Sequence, residues 1–223
     1  MACPDPTRRS TIVPTEQTST PPVPPAGSDA STASTSLADF LEALAAGRAA
    51  PSAGAMLAVT VAGAAGLTAM GARLSPAADP DGAVAGAADR LRARALSLAD
   101  EDRTAYGRVI AARRSADGPQ AAETRDAAWA EATRIPVELG ECAAEVADHA
   151  AELLPHGNPN LEGDVGVAVD LAAGAAHGAA RLARINVAEG GLDATDGPGA
   201  AFLDRVGRAT ATADGAASRV ERT

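Results

Sequence analysis

HGNPNLEGDVGVAVDLAAGAAHGAARLARIN, residues 156–186, is a polar turn running into a long, mostly apolar helix. Gly157, Asn158 and Pro159 punctuate the chain, and Asn160 is placed to cap the helix that follows. Along that helix Leu161, Ala168, Ala175 and Leu182 recur every seven residues, and Asp164, Leu171, Gly178 and Ile185 repeat the pattern three residues on. Together they predict one seam buried against partner helices, with a middle of small side chains that admits a close neighbour. Asp164 is the odd member. A carboxylate at an apolar position must be paired, neutralised or placed at the mouth of a cavity, because burying it alone costs too much. An acidic residue in a helix's first turns, favoured by the dipole, is the plainer alternative.

Working outward, the other segments read the same way. Residues 1–36 are rich in Pro, Ser and Thr, with the run Thr20-Pro21-Pro22-Val23-Pro24-Pro25. Such a composition cannot bury enough apolar surface to offset its ordering entropy, which predicts a disordered tail ahead of a domain over residues 37–223. Ser36 and Asp39 form a capping-box pattern opening a short helix through Phe40, Leu41 and Leu44, with Gly47 as its stop. Pro51-Ser52-Ala53-Gly54 is a turn into a second helix, and no charge occurs from Ala55 to Ala72. That stretch only just reaches the length of a membrane span; its Ala and Gly content suits close packing inside a bundle better.

Ser75-Pro76 ends the second helix and Asp79-Pro80 opens a third, expected to run to about Arg114. Its seam is Val84, Ala88, Leu91, Ala95, Leu98, Asp102, Ala105, Val109 and Ala112, so a second carboxylate stands where an apolar residue is expected, with Tyr106 one turn on. Asp102 also belongs to the acidic run Asp100-Glu101-Asp102, which would face water; periodicity leaves both readings open. Gly118-Pro119 opens a fourth helix anchored by Trp129, and Pro136 predicts a kink or break before a fifth segment, Val137 to Leu154. Gly190-Gly191 closes the long helix, and a last one runs from Ala200 to about Val220. No stretch alternates with a period of two. The fold class is all-α, a single multi-helix bundle.

Composition narrows the function. The chain has 223 residues, 46% apolar but only 2% aromatic, and a formal net charge of −10. An acidic chain of this kind lacks the basic face that nucleic acid requires. Cys3 and Cys142 lie far apart, and His149, His156 and His177 show no ligand spacing, so neither a disulfide framework nor a metal site is expected. The N-terminus has no apolar signal-peptide core, which with the unpaired cysteines points to the cytoplasm.

Set out in this order, the residues resemble the cyclodeaminase/cyclohydrolase family, which includes the cyclodeaminase part of formiminotransferase-cyclodeaminase and free-standing methenyltetrahydrofolate cyclohydrolases. The likeness covers roughly Phe40 to Asn186. It rests on Gly157-Asn158-Pro159-Asn160 followed by Asp164-Val165-Gly166-Val167-Ala168, on Arg184-Ile185-Asn186, and on Ala99-Asp100-Glu101-Asp102 ahead of Tyr106. The spacing from Phe40 through Pro51 and Gly54 to Met70, Arg73 and Leu74 also fits. The resemblance implies an enzyme of one-carbon chemistry on tetrahydrofolate. Such an enzyme closes 5-formimidoyl-tetrahydrofolate with loss of ammonia, or adds water to the 5,10-methenyl form. No cofactor is implied beyond the folate itself.

By the same resemblance Asp102 or Asp164 is the acid/base group, and Asn158, Asn160 and Asn186 hold the pteridine edge or the reacting water. Arg184 meets the folate's carboxylates, its planar donor fork suiting them. The turn at Gly54 would offer backbone N–H groups to the ligand. A homodimer is expected as well. Each residue also has a plain structural role available: Asn158 and Asn160 as turn and cap, Arg184 near a helix C-terminus, the two aspartates in ion pairs. The chain departs from the family in Ser52-Ala53-Gly54-Ala55, where three glycines and a serine are usual. It departs again in Gly163 for a serine and Leu182 for an asparagine. The departures leave a second reading open, a catalytically silent bundle that acts by binding or dimerising.

Overall fold

The computed structural model describes residues 31–47, 50–114 and 118–222. Six helices make up the bundle: α1 (Leu37–Ala45), α2 (Ala53–Arg73), α3 (Ala83–Arg113), α4 (Pro119–Leu153), α5 (Glu162–Gly190) and α6 (Pro198–Val220), and no strand occurs among the described residues. The all-α reading therefore holds. Most of the tail expected over residues 1–36 lies outside the described residues. Its last part does not: Thr32–Ser34 form a 3₁₀ turn against α3. There the Ser31 and Thr32 hydroxyls and the Thr32 N–H donate to the Asp100 carboxylate at 2.6 to 2.9 Å.

The helix ends follow local rules. Ser36 Oγ accepts from the Asp39 N–H to open α1, and Gly47 takes the left-handed conformation beyond its end. Asp79 does not begin α3 as expected. It stands ahead of the helix, where its carboxylate accepts from the Val84 and Ala85 N–H groups, donors that a first turn leaves without helical partners. Asn158, rather than Asn160, is the capping residue of the polar turn: its side chain accepts from the Asn160 N–H at 3.0 Å. The Asn158 N–H in turn donates to Ser75 Oγ at 2.8 Å, pinning this turn to the C-terminal end of α2.

The break expected at Pro136 is absent, and α4 runs through it unbroken. Proline has no N–H for the carbonyl four residues back, which here is Ala132. The side chain of Asn186 on α5 supplies the missing donor, Nδ2 to Ala132 O at 2.8 Å. With that carbonyl satisfied and Pro136 buried, the helix has no reason to part.

The core is built of alanine and valine with few large residues; α4 packs against α2, α3, α5 and α6, and α5 against α2, α4 and α6. Small side chains let helix axes approach. A Cβ on Gly71 of α2 would lie 2.6 Å from Val165 Cγ2 on α5, and a Cβ on Gly178 of α5 would lie 2.6 Å from Leu57 Cδ2 on α2. These two close approaches set the register: α2 and α5 run antiparallel, residue 71 level with 165 and residue 57 with 178. The seam predicted on α5 is half correct. Ala168 and Ala175 are buried and Leu161 and Leu182 half-buried, but Asp164, Leu171 and Ile185 are exposed. Val165, Val169, Ala172, Ala176 and Ala179 are inside in their place. On a helix of Ala, Gly and Val nearly every side is weakly apolar, so the buried side is settled by the partner helices.

Helices α3 and α4 are tied by a charge lattice. Arg134 donates to Glu101, Glu131 and Glu138 at 2.6 to 3.0 Å, and Arg94 bridges Glu101 and Glu138. The guanidinium groups hold these three carboxylates below their ordinary range against a desolvation that pushes them up. Trp129, the expected anchor of α4, is buried with Arg113 stacked 4.9 Å from its ring centre.

Candidate active site

The seam of α3 is as predicted: Ala88, Leu91, Ala95, Leu98, Ala105, Val109 and Ala112 are buried and Val84 is half-buried. That decides between the two readings of Asp102. A helix turns about 100° per residue, so three successive acids point three ways. Asp100 meets the Ser31–Thr32 turn, Glu101 joins the Arg94–Arg134 lattice, and Asp102 points inward to the start of α2.

There the carboxylate lies against Gly54 in the first turn of α2. A Cβ on Gly54 would be 2.6 Å from Oδ1, 2.7 Å from Cγ and 2.7 Å from Oδ2 of Asp102, closer than atoms can stand. Of the usual glycines of this turn, the one this chain keeps is the one the aspartate presses on. Ser52, the N-cap residue of α2, makes no capping bond; its hydroxyl donates to Asp102 Oδ2 at 2.7 Å. Burial pushes the Asp102 carboxyl above its ordinary range, and the Ser52 hydrogen bond pulls the other way without cancelling it. A carboxyl shifted in this direction is suited to give and take protons nearer neutrality.

The remaining candidates divide by place. Arg184 and Asn186 lie on α5 just beyond the level of Gly54, at the same end of the bundle as Asp102. Arg184 is exposed and forms no ion pair among the described residues. The Asn186 amide is engaged with the Ala132 carbonyl. Asn158, Asn160 and Asp164 stand at the other end, with Asp164 exposed in the first turn of α5. From residue 54 to residue 71 of α2, at 1.5 Å of rise per residue, the two ends are roughly 25 Å apart. Within one chain, Asp102 and Asp164 do not share a site.

Sequence reasoning missed Ser52, which it treated only as an intruder in the glycine turn. A serine directly before a helix suggests a cap, and nothing local signals that its hydroxyl turns to a residue fifty positions away. His177 pairs with Asp214 on α6 at 2.8 Å. No cluster of His, Cys, Asp or Glu suited to a metal occurs among the described residues.

Comparison with solved structures finds the crystal structure of formiminotetrahydrofolate cyclodeaminase from Thermotoga maritima, similar in fold with a TM-score of 0.77 at 23% identity, over 85% of this chain and 96% of that one. No curated protein sequence matches the chain. A family model described as formiminotransferase-cyclodeaminase matches residues 36–191, well over half of the chain and the span from the capping serine of α1 to the glycine that ends α5. The chain belongs to the formiminotransferase-cyclodeaminase family.

Proposed function

We propose that the chain is a folate one-carbon enzyme that uses Asp102 as its acid/base group. Its reaction either cyclises and deaminates 5-formimidoyl-tetrahydrofolate or hydrolyses 5,10-methenyl-tetrahydrofolate. The observation that carries this is a half-buried carboxyl held against a helix N-terminus with a hydroxyl, and no arginine among the described residues, as its hydrogen-bond partner. In cyclisation N10 adds to the formimidoyl carbon, Asp102 takes the N10 proton, and ammonia leaves carrying a proton returned to it. In hydrolysis a water oxygen bonds to the methenyl carbon and Asp102 takes one of its protons; the bond from that carbon to N5 then breaks as N5 takes a proton, and the hydroxyl proton is released to solvent as the formyl C=O forms. Arg184 is assigned to the folate's carboxylates, and Asn158, Asn160 and Asp164 to the pteridine edge or the reacting water. A cytoplasmic setting belongs to the same proposal.

The proposal includes a homodimer, for a geometric reason. Along its outer side α2 presents Met56, Val59, Gly63, Leu67 and Met70, half-buried or exposed and uncharged. On α5, Val167 and Leu171 are exposed. α2 is also the one described helix long and apolar enough to cross a membrane, and half of it is buried in the fold. A two-fold pairing of this face covers it and sets the Asp102 end of one chain against the Asp164 end of the other, uniting what one chain holds apart. The departures at Ser52 and Ala53 favour the silent-bundle reading, and the same experiment addresses it.

Absorbance of 5,10-methenyl-tetrahydrofolate is followed over time, as loss from that substrate or gain from the formimidoyl one. Wild type is compared with Asp102→Asn, Asp164→Asn and a refolded one-to-one mixture of the two. The expected result is turnover by wild type, little by either variant, and about a quarter of wild-type activity in the mixture, because half the dimers are mixed and each carries one intact site. A silent mixture overturns the shared site. A wild type that turns over neither folate, and binds neither, leaves the silent bundle.

A further inference from the structure

We propose that Ser52 is a positioning residue for Asp102, a role the glycine usual at this place in the family cannot fill. The inference rests on the reading of Asp102 given above and adds a second residue to it. A serine at a helix N-cap ordinarily accepts from an N–H of the first turn. Ser52 forgoes that bond, and its Oγ lies 2.7 Å from Asp102 Oδ2. Gly54, in the same first turn of α2, lies against the same carboxyl with room for no side chain between them. The hydroxyl and the backbone of this turn thus hold Asp102 against the start of α2.

A hydroxyl also suits both protonation states. It donates to the carboxylate, and by rotating accepts from the neutral acid, so it follows the proton without moving heavy atoms. The charged groups nearest in sequence have partners of their own: Asp100 with the Ser31–Thr32 turn and Arg103, Glu101 with Arg94 and Arg134. The first turn of α2 adds no acidic residue. Ser52 is therefore the group on α2 through which the sequence adjusts this carboxyl.

The test uses the full chain with Ser52→Ala, Ser52→Gly and Ser52→Thr. Asp102 is titrated by NMR on carboxyl-labelled aspartate, with Asp102→Asn to assign the signal. Loss of the hydroxyl is expected to move the Asp102 titration to higher pH in Ser52→Ala and Ser52→Gly, and Ser52→Thr to restore it. With folate turnover, the acid limb of the rate profile moves the same way, and kcat falls about tenfold while KM stays within about twofold, the loss of one charge-assisted bond. An Asp102 titration identical in wild type and Ser52→Ala overturns the proposal. A shifted titration in a chain that turns over neither folate upholds the pairing and removes the enzymatic reading.

Discussion

Replacing Gly54 by alanine is the sharpest perturbation of the site. The new Cβ would fall 2.6 to 2.7 Å from three atoms of the Asp102 carboxyl. An ordinary carbon contact is about 3.5 Å, so the carboxyl must retreat by roughly 0.8 Å. Ser52 and the wall of α2 are on the side it leaves, so the retreat also stretches the 2.7 Å hydrogen bond. A misplacement of about 1 Å at a reacting group can cost about 10²-fold in rate, and that is the loss expected in kcat for Gly54→Ala. For stability two effects oppose. Alanine is better than glycine in a helix by about 1 kcal/mol, and overpacking costs about 1–3 kcal/mol, so the net is a loss of about 1 kcal/mol. Gly215, on α6 with open space around it, is the control, and Gly215→Ala gains about 1 kcal/mol. Denaturant unfolding and folate absorbance read the two quantities. In an Asp102→Ala background the collision is gone, and Gly54→Ala becomes stabilising like the control. A Gly54→Ala protein with wild-type turnover and the stability gain of Gly215→Ala would refute the placement of Asp102 against α2.

Two further outcomes follow from the same contacts. Because burial raises the Asp102 pKa, the folded chain holds that proton more tightly than the unfolded one. Its cost to stability is absent below the ordinary value of 3.8 and accumulates as pH rises from there through the raised value. Asp102→Asn should then melt higher than wild type at pH 7, with the gain vanishing in acid; a difference in melting temperature that is flat with pH contradicts it. Asn186→Ala strands the Ala132 carbonyl inside the bundle and is expected to cost about 1–3 kcal/mol. Pro136→Ala restores the helical donor, so a double-mutant cycle of the two by urea unfolding should show coupling of about 1 kcal/mol, whereas strict additivity would separate the two residues.

The helices and most of their ends were legible because the signals that make them are local. A capping serine and its aspartate, a glycine that takes positive φ, and a period of three and four each act over a few residues, which is how Ser36, Gly191 and the α3 seam could be read directly. The α3 seam also singled out Asp102, since leucine and valine mark one side of that helix clearly. On α5 the same reading turned the helix partly the wrong way, because alanine and glycine on all sides give little contrast between faces.

What only the tertiary structure decided depends on residues far apart in the chain. That burial raises the Asp102 pKa while hydrogen bonds lower that of Asp100 follows from where Ser52 and Ser31 arrive in space. That Pro136 leaves α4 whole depends on an amide fifty residues later. The antiparallel register of α2 and α5, set by side chains too small to hold the helices apart, places Asp102 and Asp164 at opposite ends of one chain. The sequence by itself determined which residues are unusual for their helices. Their distance from one another is a property of packing, and local periodicity carries no information about it.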